Sequence, residues 1–110
     1  MAYDEALAGR VREVLADRSD VTERKMFGGI GFMVGGNMCC GVQGDDLIAR
    51  VGEEAHEGAL ELAHARPFDF AGRPSKGFLY VGPRGTATDE DLRAWVQRSL
   101  AFVTTLPPKR

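Results

Sequence analysis

The chain opens on a helical rhythm. Leu7, Val11, Val14 and Leu15 recur at helical spacing with charges between them, which predicts an amphipathic helix over 4–18. Asp4 and Glu5 stand where a helix N-terminus favours anions, and Ser19-Asp20 breaks the pattern. From Ile30 the period drops to two. Ile30, Phe32 and Val34 alternate with Gly31 and Met33, and Gly35-Gly36-Asn37 is a hairpin-turn signal. Met38, Cys40 and Val42 alternate with Cys39, Gly41 and Gln43. After a second turn at Gly44-Asp45, Leu47, Ala49 and Val51 alternate with Ile48 and Arg50. These runs predict a three-stranded antiparallel meander. Ile30, Phe32, Val34, Met38, Cys40 and Val42 serve the core, and Met33, Cys39 and Ile48 face the other way.

Gly52-Glu53-Glu54 opens a second predicted helix, which reaches about Ala65 with Ala55, Ala59, Leu62 and Ala63 inward; Pro67 ends it. Residues 68–77 read as a loop with at most a short extended piece at 68–70. Phe78–Val81 read as a strand stopped by Gly82-Pro83. Thr88 caps a third helix running to about Thr105, with Leu92, Trp95, Val96, Leu100 and Val103 as its apolar stripe. Without repeat, linker or low-complexity segment, residues 1–110 read as one domain ordered α-β-β-β-α-β-α. This is an α+β fold, an antiparallel meander sheet with helices packed on it.

Composition adds little to this picture. The 110 residues are 44% hydrophobic and 27% charged, an ordinary globular balance, with a net charge of −2. No apolar run approaches the ~18–20 residues of a membrane helix, and the N-terminus lacks a signal-peptide layout, so a cytoplasmic protein with no membrane association is expected. Charge is uneven. Residues 45–61 carry Asp45, Asp46, Glu53, Glu54, Glu57 and Glu61 against Arg50, whereas 66–84 carry Arg66, Arg73, Lys76 and Arg84 against Asp69. The second block is the candidate basic surface.

Four chemistries can be weighed. Gly29-Ile-Gly31 starts like a dinucleotide fingerprint, but Val34 occupies the third glycine position and a strand follows, so the glycines serve turns and close backbone approach. Neighbouring cysteines on a regular strand point to opposite faces. Cys40 then belongs to the core, and Cys39 could be accessible, with His56 and His64 on the next helix as possible bases. Glu53-x-x-His56 and Glu61-x-x-His64 copy the spacing of carboxylate-bridged metal bundles, yet the two pairs are rotated about 80° from each other on one helix. No catalytic set, cofactor or metal site is therefore expected. In the 66–77 loop, Phe68 and Phe70 lie among Arg66, Arg73 and Lys76. The two rings either stack on nucleic acid or pack beneath the loop, and packing is favoured.

Arg-Lys-Met-Phe-Gly-Gly-Ile-Gly-Phe-Met (24–33), Asp-Asp-Leu-Ile-Ala-Arg-Val (45–51), Pro-Phe-Asp-Phe-Ala-Gly-Arg-Pro-Ser-Lys-Gly (67–77) and Leu-Pro-Pro-Lys (106–109) together resemble the N-terminal domain of the TfoX/Sxy family over nearly the whole chain. Ser75 departs from the methionine more usual at that position. The resemblance implies a small α+β domain. The full-length relatives are bacterial regulators of DNA-uptake competence that work with the cyclic-AMP receptor protein and carry a second, helical domain; this chain reads as a stand-alone N-terminal domain. The expectation is a non-enzymatic regulatory domain with a protein partner, of the transcription machinery or a cyclic-AMP receptor-type regulator. Arg73, Pro74 and Lys76 form the expected contact, little or no direct DNA binding is expected, and a homodimer forms through an apolar sheet face. The alternative is a small enzyme or ligand binder using a pocket near Cys39 or the 66–76 loop.

Overall fold

The computed structural model describes residues 3–26, 28–70 and 73–107, with the backbone alone for 69, 70 and 73–76. Helix α1 (Glu5–Val14) leads into strands β1 (Val21–Met26), β2 (Gly29–Val34), β3 (Asn37–Gln43) and β4 (Asp46–Arg50). Helix α2 (Glu53–Leu60), strands β5 (Ala65–Phe70) and β6 (Arg73–Val81), a short 3-10 turn (Pro83–Gly85) and helix α3 (Asp89–Val103) follow. The six strands form one antiparallel sheet in the order β1-β2-β3-β4-β6-β5. The α+β class holds, with a larger sheet than the predicted meander. No helix among the described residues is long and apolar enough to cross a membrane.

The helix ends follow local chemistry. The Asp4 carboxylate accepts from the backbone N–H of Ala6 and Leu7, and the Thr88 hydroxyl accepts from that of Asp91. One face of the sheet and the helices share a single core that includes Leu7, Val11, Phe32, Val42, Leu47, Leu79, Val81, Leu92 and Val96. The α3 stripe falls as predicted, with Leu100 only half-buried and Ser99 joining the buried side. In α2 only Ala59 is buried. The helix stops at Leu60, and the chain reverses through His64 at φ 71°, leaving Ala55, Leu62 and Ala63 exposed.

The β2–β3 hairpin turns at Gly35 and Gly36, with φ of 60° and 84°. Its register slips once, since Phe32 faces Cys40 whereas Met33 faces Met38. Cys39 is thus the extra residue of a bulge, which flips the parity of the strand. Cys39 and Cys40 both enter the core, fully buried, while Met38 moves to the opposite face. The predicted split of the two cysteines, and the core placement of Met38, are corrected by that one inserted residue.

Met33, Ile48 and Phe68 are buried outside the main core cluster. Across this second face Arg24, Gly31, Gly41, Ile48, Tyr80 and Arg66 lie in one row of paired residues. The missing side chains of Gly31 and Gly41 leave room for methionines. The Met26 thioether occupies the place a Gly31 Cβ would take, and the Met38 methyl lies 3.4 Å from that of Gly41. Most of this face is therefore filled by the chain itself. Among the described large hydrophobic residues only Leu62 is exposed, and it follows α2 rather than lying on the sheet face where a dimer was expected.

An ion pair ties the edge strand to α1. Arg12 donates to both oxygens of Glu23 at 2.8 and 2.9 Å. These hydrogen bonds hold the Glu23 carboxyl below its ordinary pKa. The folded pKa is depressed, so the contribution is present above the unfolded carboxylate pKa and is lost as pH falls through the folded one. With side chains 46% and 38% exposed, solvent screening keeps it small. Arg12→Ala is expected to cost less than about 1 kcal/mol at neutral pH. Urea unfolding should show that difference vanishing in acid.

Candidate functional site

The thiols are the first candidates to place. Both lie in the core with no exposed surface, and a hydrogen bond with Cys39, helped by burial, pushes the Cys40 thiol well above its usual pKa. Such a thiol stays protonated and out of reach. Ellman's reagent should therefore label neither cysteine in the native protein and both after denaturation; prompt native labelling would contradict the bulge geometry.

The histidines sit apart in function. His56, on α2, places Nε2 3.1 Å from the Phe78 carbonyl oxygen. His64 makes the chain reversal after α2. Among the described residues no three His, Cys, Asp or Glu side chains are placed to share a metal ion.

The predicted loop is largely the β5–β6 hairpin. Phe68 is buried and packs on Phe78 and Tyr80, with ring centroids 5.7 and 5.0 Å apart. Phe68 thus anchors β5 to the sheet rather than presenting a stacking platform. Arg66 pairs with Asp46 at 2.6 Å and lies 5.3 Å above the Tyr80 ring. Arg73 pairs with Phe70 at the start of β6 and Pro74 with Asp69, close to the hairpin turn. The side chains of Arg73, Pro74 and Lys76 lie outside the described residues. Arg84 follows the far end of β6, so the backbone spreads these basic positions along the length of the strand.

The structure adds a site that the sequence pattern concealed. A cleft of about 950 Å³ opens between α2 and α3 over the end of β4 and the middle of β6. Ala55, Gly58 and Ala59 line it from α2 and Ala101 from α3; small side chains on facing helices leave the space unfilled. The half-buried Arg50 extends into this region with its guanidinium carbon 5.3 Å from the Phe78 ring and 5.3 Å from the Phe102 ring. Its Nη1 donates to the Met38 carbonyl at 3.3 Å. Arg98 lines the same cleft and lies 5.4 Å above the Trp95 ring. Glu53 and Glu54, at the start of α2, supply the opposite charge. The one sequence signal toward the cleft is Ala55, an apolar position on the predicted inner stripe of α2 that the structure leaves exposed.

No curated protein and no solved structure gives a significant match to the chain. The family model for the TfoX N-terminal domain matches residues 13–103, which takes in every strand and both later helices. With this span of the chain matched, the protein belongs to the TfoX N-terminal domain family.

Proposed function

We propose that the chain is a non-enzymatic regulatory domain of the competence-regulator kind, which acts by holding a protein partner. Family membership is the observation that carries this reading. The placement of the reactive side chains supports it: the thiols pack in the core, His56 meets a backbone carbonyl and His64 shapes a turn. The contact surface is the start of β6, with Arg73, Pro74 and Lys76 beside a hairpin turn at the sheet margin, facing an acidic patch on the partner. With a net charge of −2, the domain as a whole has no electrostatic attraction for duplex DNA. A homodimer belongs to the same proposal, seated at the β1 edge, where β1 pairs with β2 alone.

The test is affinity purification from native cells with wild type and the Arg73→Ala/Lys76→Ala variant, followed by rebinding of the purified components. A partner that rebinds the wild type and not the variant supports the proposal. Submicromolar binding of duplex DNA in a mobility-shift titration at ~150 mM salt, lost in the variant, would replace it with a nucleic-acid-binding role.

A further inference from the structure

The cleft between α2 and α3 plays no part in a partner contact centred on the β5–β6 hairpin. We infer that it binds a small organic monoanion, a carboxylate carried on an aromatic or other apolar body, with Arg50 as the principal anchor and Arg98 as the second. Its volume, about 950 Å³, lies within the ~300–1,000 Å³ range of small-molecule sites.

The state of Arg50 defines the ligand. Its guanidinium is bracketed by Phe78 and Phe102, which fixes its position, and its Nη1 is engaged by the Met38 carbonyl. No carboxylate of a described residue pairs with it, because the ion pairs of the described arginines are those of Arg10, Arg12, Arg18 and Arg66. Among the described residues no hydrogen bond engages its Nε–Nη2 edge, which suits a carboxylate in the two-pronged geometry that guanidinium favours. Arg98 likewise has no carboxylate partner in an ion pair among the described residues, and its guanidinium carbon lies 5.4 Å from the Trp95 ring. Phe78, Phe102, Ala55, Ala59 and Ala101 supply an apolar wall for the ligand's body. Glu53 and Glu54 narrow the class further, since their charges oppose a polyphosphate or nucleic acid while tolerating one negative charge held at the arginine side.

The probe pair is naphthylacetate and its neutral isostere naphthylacetamide, titrated into the full chain and followed by backbone amide NMR. The acid is expected to bind at least ~10-fold more tightly than the amide, the value of one charge-assisted hydrogen-bonded pair. Its shifts should concentrate at residues 50–59, 77–78 and 98–105. Arg50→Gln should erase the preference for the acid, and Arg98→Gln should reduce it. Because Arg50 also supports two rings, Ala101→Phe serves as the second variant: this exposed position lines the cleft, and the larger side chain should block both ligands without lowering the melting temperature. Equal affinity for acid and amide, or acid binding that survives both Arg50→Gln and Ala101→Phe, would overturn the inference. The partner-capture experiment reads a different surface, so either proposal can fail alone.

Discussion

Alanine at position 52 is expected to destabilise the domain by roughly 2–6 kcal/mol, the sum of backbone strain and overpacking. Gly52 joins β4 to α2 with φ 86° and ψ 157°, a backbone conformation essentially reserved for glycine. A Cβ there would also run into the Phe102 ring. Moving that ring aside would disturb its contact with the Arg50 guanidinium, 5.3 Å away. Gly58 is the internal control. Nothing lies within 4 Å of a Cβ added there, so Gly58→Ala should stabilise the exposed helix by up to about 1 kcal/mol. Urea unfolding of the two variants checks the pair; a loss under about 1 kcal/mol for Gly52→Ala would mean that the β4–α2 junction relaxes more easily than its geometry implies.

Two glycines on one strand should respond very differently to the same change. At Gly29 a Cβ would strike the Val42 carbonyl, with Gln43 Cα at 3.1 Å, so the obstacle is the backbone of the paired strand. At Gly31 the obstacle is the end of the Met26 side chain, which can swing away toward solvent. Gly29→Ala is expected to cost about 3 kcal/mol or more, and Gly31→Ala no more than about 1.5 kcal/mol. Denaturant midpoints at equal slope would establish the order. The reverse order would mean that Met26 is locked in place and that the second sheet face is a rigid core in its own right.

These glycines also show what the sequence could disclose. Alternation over Ile30–Val34, Met38–Val42 and Leu47–Val51 disclosed three strands and their turns, but not that β2 is buried on both faces. The helical stripes of α1 and α3 were equally legible. Strand β1 was not, since Thr22, Glu23, Arg24 and Lys25 are all exposed and an edge strand with two wet faces has no apolar period. Strand β5 was hidden by Pro67, which reads as a terminator but is tolerated on an edge strand, where one side of the backbone has no pairing to lose. The bulge at Cys39 left no residue-type signature. It is a count mismatch between two strands, visible only when both are laid side by side. The cleft was hidden for a related reason. Arg50 sits in a strand pattern as an ordinary polar position, and its two aromatic neighbours come from β6 and α3, far away in the chain.

The strand order carries a kinetic consequence. The pairings among strands β1 to β4 join sequence neighbours, through turns a few residues long. The seam between β4 and β6 differs, because Arg50 meets Phe78 across a loop that contains α2 and all of β5. Closing that loop costs about 3 kcal/mol of chain entropy by length scaling, before any contact at the seam repays it. The slow coordinate in refolding is then the arrival of β6, and the four-stranded meander is its waiting template. Stopped-flow refolding that slows on truncation of Leu79 and ignores truncation of Val21 would be the signature of that order.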